Sequence, residues 1–248
     1  MTDEPRVALV TGSALNIGRA IAIAFGRDGM RVMVTARSSR DDCETTAALV
    51  REAGGEAGVH LADISNPAQA RGLVEATVAR FGRLDVLVNN ASVRRQTKFA
   101  ELTPEEWREI LGSTLDGAFY CAHAAAPHIA AAGGGCIINI GGISAHIGAV
   151  GRVHAVTAKA GMVGLTRALA KELAPSHITV NIVVPGSINT IRGAAAGGNS
   201  GRAHLPDNLV GRMGYPEEIA GMVHYLTTPP ARFITGQTIH VNGGAFLP

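Results

Sequence analysis

Seven short apolar runs rich in β-branched residues recur along the chain, and longer segments of helical period separate the first six. The runs are Arg6–Thr11, Arg31–Ala36, Ala57–Ala62, Leu84–Asn89, Cys136–Ile140, Ile178–Val184 and Gln237–Asn242. Strands joined through a helix's length of chain have the crossover that parallel pairing needs. The pattern therefore predicts a doubly wound α/β fold, a seven-stranded parallel sheet with helices on both faces. Two helix starts are explicit. "TPEEW" at Thr103 offers a threonine cap, Pro104 in the first turn and acids against the positive dipole end, and "YPEEI" at Tyr215 repeats the proline and acidic pair. No repeat or composition shift divides the 248 residues, so 1–248 read as one domain. The irregular stretch Ile191–Asn208, rich in Gly, Ala and Asn, is expected to be a substrate loop over a pocket, with a passive insertion as the alternative.

Composition excludes several classes. The 22 basic and 20 acidic residues give a net charge of +2 without a basic run, which is no nucleic-acid footprint. Cys43, Cys121 and Cys136 are odd in number and widely spaced, suggesting neither a disulfide framework nor a metal site, and they suit a reducing cytoplasm. The start "MTDEPRVALV" lacks the basic region of a signal peptide. The most apolar later stretch is broken by His123, Pro127, His128 and glycines, so no membrane span is expected.

The first run leads into "TGSALNIG", Thr11–Gly18, and then into a helical segment. Glycines there let a backbone approach a pyrophosphate, and a helix N-terminus offers amide donors to it. The second run ends with Ala36 where an NAD-selecting fold carries an acid for the ribose, and Arg37 follows at once. That favours NADP(H) over NAD(H), because a guanidinium can neutralise a 2′-phosphate.

Taken in order, "TGSALNIG", "LADIS", "LDVLVNNAS", "INIGGIS", "AKAGMVGLTRALAKELA", "ITVNIVVPGSINT" and "GRMGYPEEIAGMVHYL…ITGQTIHVNGG" resemble the short-chain dehydrogenase/reductase family from end to end. The likeness is to its 3-oxoacyl-carrier-protein-reductase-like branch. It implies a single Rossmann domain assembled as a homotetramer through two long helices and the C-terminal segment. It also implies that Gly12, Ser13, Asn16, Ile17 and Gly18 line a pyrophosphate, Asp63 and Ile64 flank an adenine, Asn90 and Ala91 the adenosine ribose, and Pro185, Gly186 and Ile188 a nicotinamide. Two positions depart from the pattern. Asn16 replaces the middle glycine and Ser92 the glycine after "NNA"; asparagine tolerates left-handed backbone, so the turn can survive.

The family's catalytic set is mostly missing. In that family a tyrosine protonates the growing alkoxide, a serine binds the carbonyl oxygen, a lysine holds the ribose and lowers the tyrosine's pKa, and an asparagine supports a relay water. The aligned positions here are Ala155, Gly142, Lys159 and Thr114, so only the lysine is kept. Substitute proton donors are His154, whose residue type titrates near pH 6.5, and His146 on the loop after the fifth run. On a regular helix His154 lies about 140° around the axis from Lys159, an objection that lapses if the helix begins after it. Ser144 offers a hydroxyl two residues after the vacant serine position, and Lys159 can itself act as an acid if desolvated.

Two functions follow. One is an NADP(H)-dependent oxidoreductase with an atypical proton-transfer site, acting on a small carbonyl or imine-type substrate. The other is a dinucleotide-binding pseudoenzyme with a structural or regulatory role. Arg94, Arg95, Lys98, Arg152 and Arg192 could attract an anionic substrate.

Overall fold

The computed structural model describes residues 4–191 and 208–248, so most of the expected substrate loop lies outside the described residues. All seven runs form strands: β1 (Val7–Val10), β2 (Arg31–Val34), β3 (Glu56–Val59), β4 (Val86–Asn89), β5 (Gly135–Ile140), β6 (Ile178–Pro185) and β7 (Thr238–Val241). They make one sheet in the order β3-β2-β1-β4-β5-β6-β7, with every neighbouring pair parallel. The fold is thus the doubly wound Rossmann-type sheet the sequence predicts. Several runs end later in sequence than in the strand, as at Thr35 and Ala36, although the Ala62 amide still donates to the Ala36 carbonyl at 3.1 Å.

The crossover helices are α1 (Asn16–Arg27), α2 (Arg40–Glu52), α3 (Pro67–Phe81), α4 (Pro104–Leu111), α5 (Gly117–Ala131), α6 (Ser144–Ile147), α7 (Val153–Glu172) and α8 (Pro216–Leu226). Both sheet faces are covered, which explains strands that are apolar throughout. In β1, Ala8 and Val10 join a core with Ile21, Phe25, Ile219 and Val223, while Val7 and Leu9 join the opposite core with Leu73, Cys121 and Ile129. Phe25, Ile21 and Leu9 are fully buried, and each such side chain contributes about 1.5–3 kcal/mol through removal from water.

Capping sets where the helices begin. The Thr103 hydroxyl accepts the Glu106 amide at 3.2 Å ahead of α4, and the Asn66 side chain accepts the Ala68 and Gln69 amides at 2.9 and 3.1 Å ahead of α3. Ahead of α8, the Tyr215 amide donates to the Glu218 carboxylate at 2.8 Å. Between α4 and α5 the chain stays helical through a π turn, Gly112–Asp116, which holds Thr114. Such turns recur at functional sites because they redirect side chains by one position.

Burial pushes the Cys121 and Cys136 thiols up to about 12, so neither is a reactive thiolate near neutral pH. Among the described residues, no helix is long and apolar enough to cross a membrane.

Candidate active site

A cavity of about 540 Å³ opens at the carboxyl ends of the strands, where the loops after β1 and β4 part. Strand order reverses around β1, so adjacent loops run to opposite faces and leave a crevice between them. Gly12, with φ +62°, and Gly18 shape its floor. A Cβ on Gly12 would come 2.8 Å from the Ala91 Cα, and one on Gly18 would meet the Gly12 carbonyl and lie 2.6 Å from the Asn90 Nδ2. Asn90 locks this arrangement, since its Nδ2 donates to the Thr11 and Gly12 carbonyls at 2.9 Å each.

Helix α1 points its N-terminus at the cavity, with no capping side chain and no acid in its first turn. This contrasts with α3, α4 and α8. Uncapped amides with the positive dipole end fit an anion such as a pyrophosphate. Asn16 takes φ +53°, the left-handed conformation of the glycine it replaces. Its side chain turns from the phosphate turn to the chain that follows β6: Nδ2 donates to the Ile191 carbonyl at 3.0 Å and Oδ1 accepts the Ile191 amide at 2.8 Å.

Gly12, Asn16, Ile17, Gly18, Arg37, Asp63, Ile64, Asn90, Ala91, Lys159 and Pro185 all line this one cavity. Arg37 is exposed, with a loose 3.8 Å pairing to Glu109, and Ser38 and Ser39 line the wall beside it. Asp63 accepts from the Ser65 hydroxyl at 2.6 Å. Ser13 lies behind the wall: it is fully buried, donating to the Val10 carbonyl at 2.7 Å and accepting the Thr35 amide at 3.0 Å, so its hydroxyl ties β1 to β2. Gly186 and Ile188 are also off the wall. A Cβ on Gly186 would strike the Asn242 backbone, and Ile188 packs into the core and bridges to Gly214.

At the β4–β5 end of the cavity, the Lys159 ammonium donates to the Ile140 carbonyl at 2.5 Å. Burial, and then the nearby Arg94 guanidinium, lower its pKa to about 7. Two of the family positions that depart have found each other, for the Ser92 and Thr114 hydroxyls are hydrogen-bonded at 3.2 Å. At Gly142 there is room for a side chain. The nearest atom to an added Cβ is the Ser144 Oγ at 3.9 Å, so the serine's absence is not steric.

The expected histidine donors lie elsewhere. Helix α7 begins at Val153, so His154 sits inside its first turn and the geometric objection holds. His154 is 1% exposed; its Nδ1 accepts the Ala155 amide at 2.7 Å and its Nε2 meets the Glu106 Oε1 at 3.1 Å. With both ring nitrogens committed and the ring turned to α4, it does not reach the cavity. Glu106 also accepts from the Thr97 hydroxyl at 2.6 Å, and these bonds lower its pKa, Thr97 most and then His154. His146 packs against His240 and Phe246, with ring centroids 4.7 and 5.4 Å away, and neither it nor Ser144 lines the cavity.

Sequence reasoning missed Ala14, Leu15 and Thr190 as wall residues; Ile191, the first residue of the expected substrate loop, lines the wall with them. It also grouped five cations that the structure separates. Arg94 lines the cavity, Arg95 is bound to Glu109 at 2.6 Å, Lys98 lies at the surface 4.0 Å from Glu101, and Arg192 is outside the described residues. Arg152 stands as the residue before α7 and does not line the cavity. A charged pair "RR" carries no signal for which member faces inward.

The model of the enoyl-(acyl carrier protein) reductase family matches residues 12–245. The 3-oxoacyl-[acyl-carrier-protein] reductase of Synechocystis sp. is 37% identical over 243 residues, covering 98% of this chain and 97% of that protein. The 3-oxoacyl-[acyl-carrier-protein] reductase of Vibrio cholerae is 36% identical over 248 residues, covering 100% of both. The chain belongs to the short-chain dehydrogenase/reductase family. Among solved structures, the short-chain dehydrogenase/reductase of Serratia marcescens superposes with a TM-score of 0.90 at 34% identity, covering 98% of each chain. Family membership makes this cavity the place to look for oxidoreductase chemistry.

Proposed function

We propose that the protein is an NADP(H)-dependent oxidoreductase that reduces a small carbonyl or imine-type substrate, with Lys159 rather than a tyrosine delivering the proton. A bound reduced nicotinamide dinucleotide would supply two electrons and one hydrogen. The α1 N-terminus with Gly12, Ile17 and Gly18 would hold its phosphates, and Asp63, Ile64, Asn90 and Ala91 its adenosine. Pro185 would border its nicotinamide, and Arg37 with Ser38 and Ser39 would take a 2′-phosphate.

The observation that carries the reading is the placement of Lys159: a half-buried ammonium on the cavity wall, with a pKa lowered to about 7. A general acid works best when its pKa lies near the working pH, and an ordinary lysine near 10.4 is too weak an acid for that. Lys159 Nζ can give a proton to a carbonyl oxygen and recover one from water. It can also hold ribose hydroxyls, the role its family position implies, so the two uses share one atom.

Family resemblance and the exposed Phe119, Tyr225 and Phe233 support self-association as a homotetramer, and the three unpaired cysteines suit the cytoplasm. Light scattering of the purified protein tests the assembly.

Titration with NADPH and NADH, followed by fluorescence, comes first. NADPH is expected to bind at least tenfold tighter, and binding of neither would refute the proposal. A screen of ketones, aldehydes and cyclic imines for NADPH consumption comes second. Tight binding with no turnover across the screen would favour a dinucleotide-binding protein without redox chemistry, the reading that the paired Ser92 and Thr114 hydroxyls support.

A further inference from the structure

We infer that Glu109, an acid outside the cavity, tunes the dinucleotide preference by competing with a 2′-phosphate for Arg37, and that Arg95 restrains it. This rests on the proposed NADP(H) reading and adds the two residues that regulate it.

Arg37 follows β2 and lines the cavity, whereas Glu109 stands on α4 and Arg95 on the chain after β4, and neither of these two is a wall residue. The fold brings the three together from opposite sides of β1. Arg95 grips Glu109 as a fork: its Nη1 meets Oε2 at 2.6 Å and its Nη2 donates to Oε1 at 3.1 Å. The same Oε1 faces the Arg37 Nη1 at 3.8 Å, beyond hydrogen-bond reach. Two guanidiniums therefore share one carboxylate, and Arg95 holds both of the short contacts. Most of the Glu109 charge is matched away from the wall.

The consequence for a dinucleotide follows from charge. A 2′-phosphate must draw Arg37 from Glu109, and a carboxylate left beside that phosphate repels it. A ribose 2′-hydroxyl is neutral and accepts a carboxylate as a partner, which is how NAD-selecting folds use an acid at the end of the second strand. Here that place holds Ala36, and Glu109 is the acid that approaches Arg37 from another element. Its pull depends on Arg95. A guanidinium fork holds a carboxylate in direction as well as place, so Glu109 stays turned to Arg95 and the exposed Arg37 is left to meet a ligand. Without Arg95 the carboxylate would close on Arg37. Exposed ion pairs are individually weak, so the expected effect is severalfold.

The test measures Kd for NADPH and for NADH by fluorescence titration at one fixed ionic strength. The proteins are the wild type, Arg95→Gln, Glu109→Gln and the double variant. Arg95→Gln should weaken NADPH binding about three- to tenfold, and Glu109→Gln should tighten it about two- to fivefold. NADH affinity should stay within about twofold throughout, which also reports that each variant is folded. The double variant should bind NADPH within about twofold of Glu109→Gln, because Arg95 acts through Glu109. Arg95 also helps to lower the pKa of Glu106, and a loss through that neighbour would persist in the double variant, so the cycle separates the two routes. An NADPH-to-NADH ratio unmoved by Arg95→Gln, or reduced equally with and without Glu109, would overturn the inference. A ratio that falls in Arg37→Ala and not in Arg95→Gln refutes the role of Glu109 alone. A ratio that ignores Arg37→Ala as well overturns the NADP(H) reading and the inference with it.

Discussion

Replacing Lys159 with methionine should abolish turnover and yet make the protein more stable at neutral pH. The lysine's pKa falls from 10.5 to about 7 on folding, through burial first and Arg94 second. At about 1.4 kcal/mol per pH unit, carrying the charged lysine into the fold costs about 4–5 kcal/mol. The sign follows from proton counting. Between pH 7 and 10.5 the unfolded chain holds a proton that the folded one has lost, so this contribution makes stability rise with pH across that window. Methionine fills a similar volume without a charge, but it leaves the Ile140 carbonyl without its donor, a loss of about 1–3 kcal/mol. Lys159→Met should therefore gain about 1–4 kcal/mol at pH 7 and flatten the rise toward pH 9.5. Urea unfolding of both proteins at matched protomer concentration, from pH 6.5 to 9.5, measures it. A variant less stable than the wild type at pH 7, with an unchanged pH slope, would refute the idea that a costly half-buried ammonium stands in the cavity wall.

Three other outcomes follow from the same geometry. Arg37→Ala should weaken NADPH binding about tenfold while leaving NADH binding within about twofold, read by fluorescence titration, because the guanidinium would face the 2′-phosphate alone. Asn16→Ala should destabilise the fold by about 1–2 kcal/mol in thermal or urea unfolding, since alanine resists the left-handed φ of +53°, whereas Asn16→Gly should be near neutral. Both should speed dinucleotide release in stopped flow by breaking the two bonds to Ile191. Burial lowers the pKa of His146 and of His240, so the unfolded chain takes up protons first as pH falls below 6.5 and stability drops there; His240→Phe should reduce that drop in unfolding curves at pH 7 and 5.5.

Local pattern was enough for the scaffold. Apolar runs, proline and acid at helix starts, and the glycines of "TGSALNIG" each act within a few residues, so the strands and the phosphate turn were legible in order. Even the departure at Asn16 was readable as a left-handed residue, because backbone preference is a property of the residue itself. Its partner Ile191 was not, being set by a contact across 175 positions. The same limit hid the fate of His154. Nothing near it in sequence reveals that Glu106, on α4, takes its Nε2 and turns the ring from the cavity. Arg94 and Arg95 are adjacent and chemically identical, and only the fold, which docks Glu109 against Arg95, decides that Arg94 is the one lining the wall. The Ser92–Thr114 bond was hidden for a related reason, since the π turn that sets Thr114 has no sequence signature.

The central claim is that Lys159 is poised to exchange a proton near neutrality, and the chain is well suited to a direct measurement of it. Its only lysines are Lys98, Lys159 and Lys171, so carbon-13 labelling at the lysine ε position gives three side-chain signals. Lys98 and Lys171 are on the surface, and Lys159→Met identifies the third signal by its loss. Nuclear magnetic resonance titration of the purified protein should then show the Lys159 signal moving with a midpoint of about 7. A Lys159 midpoint near 10.4, the value of a lysine in water, would contradict the account.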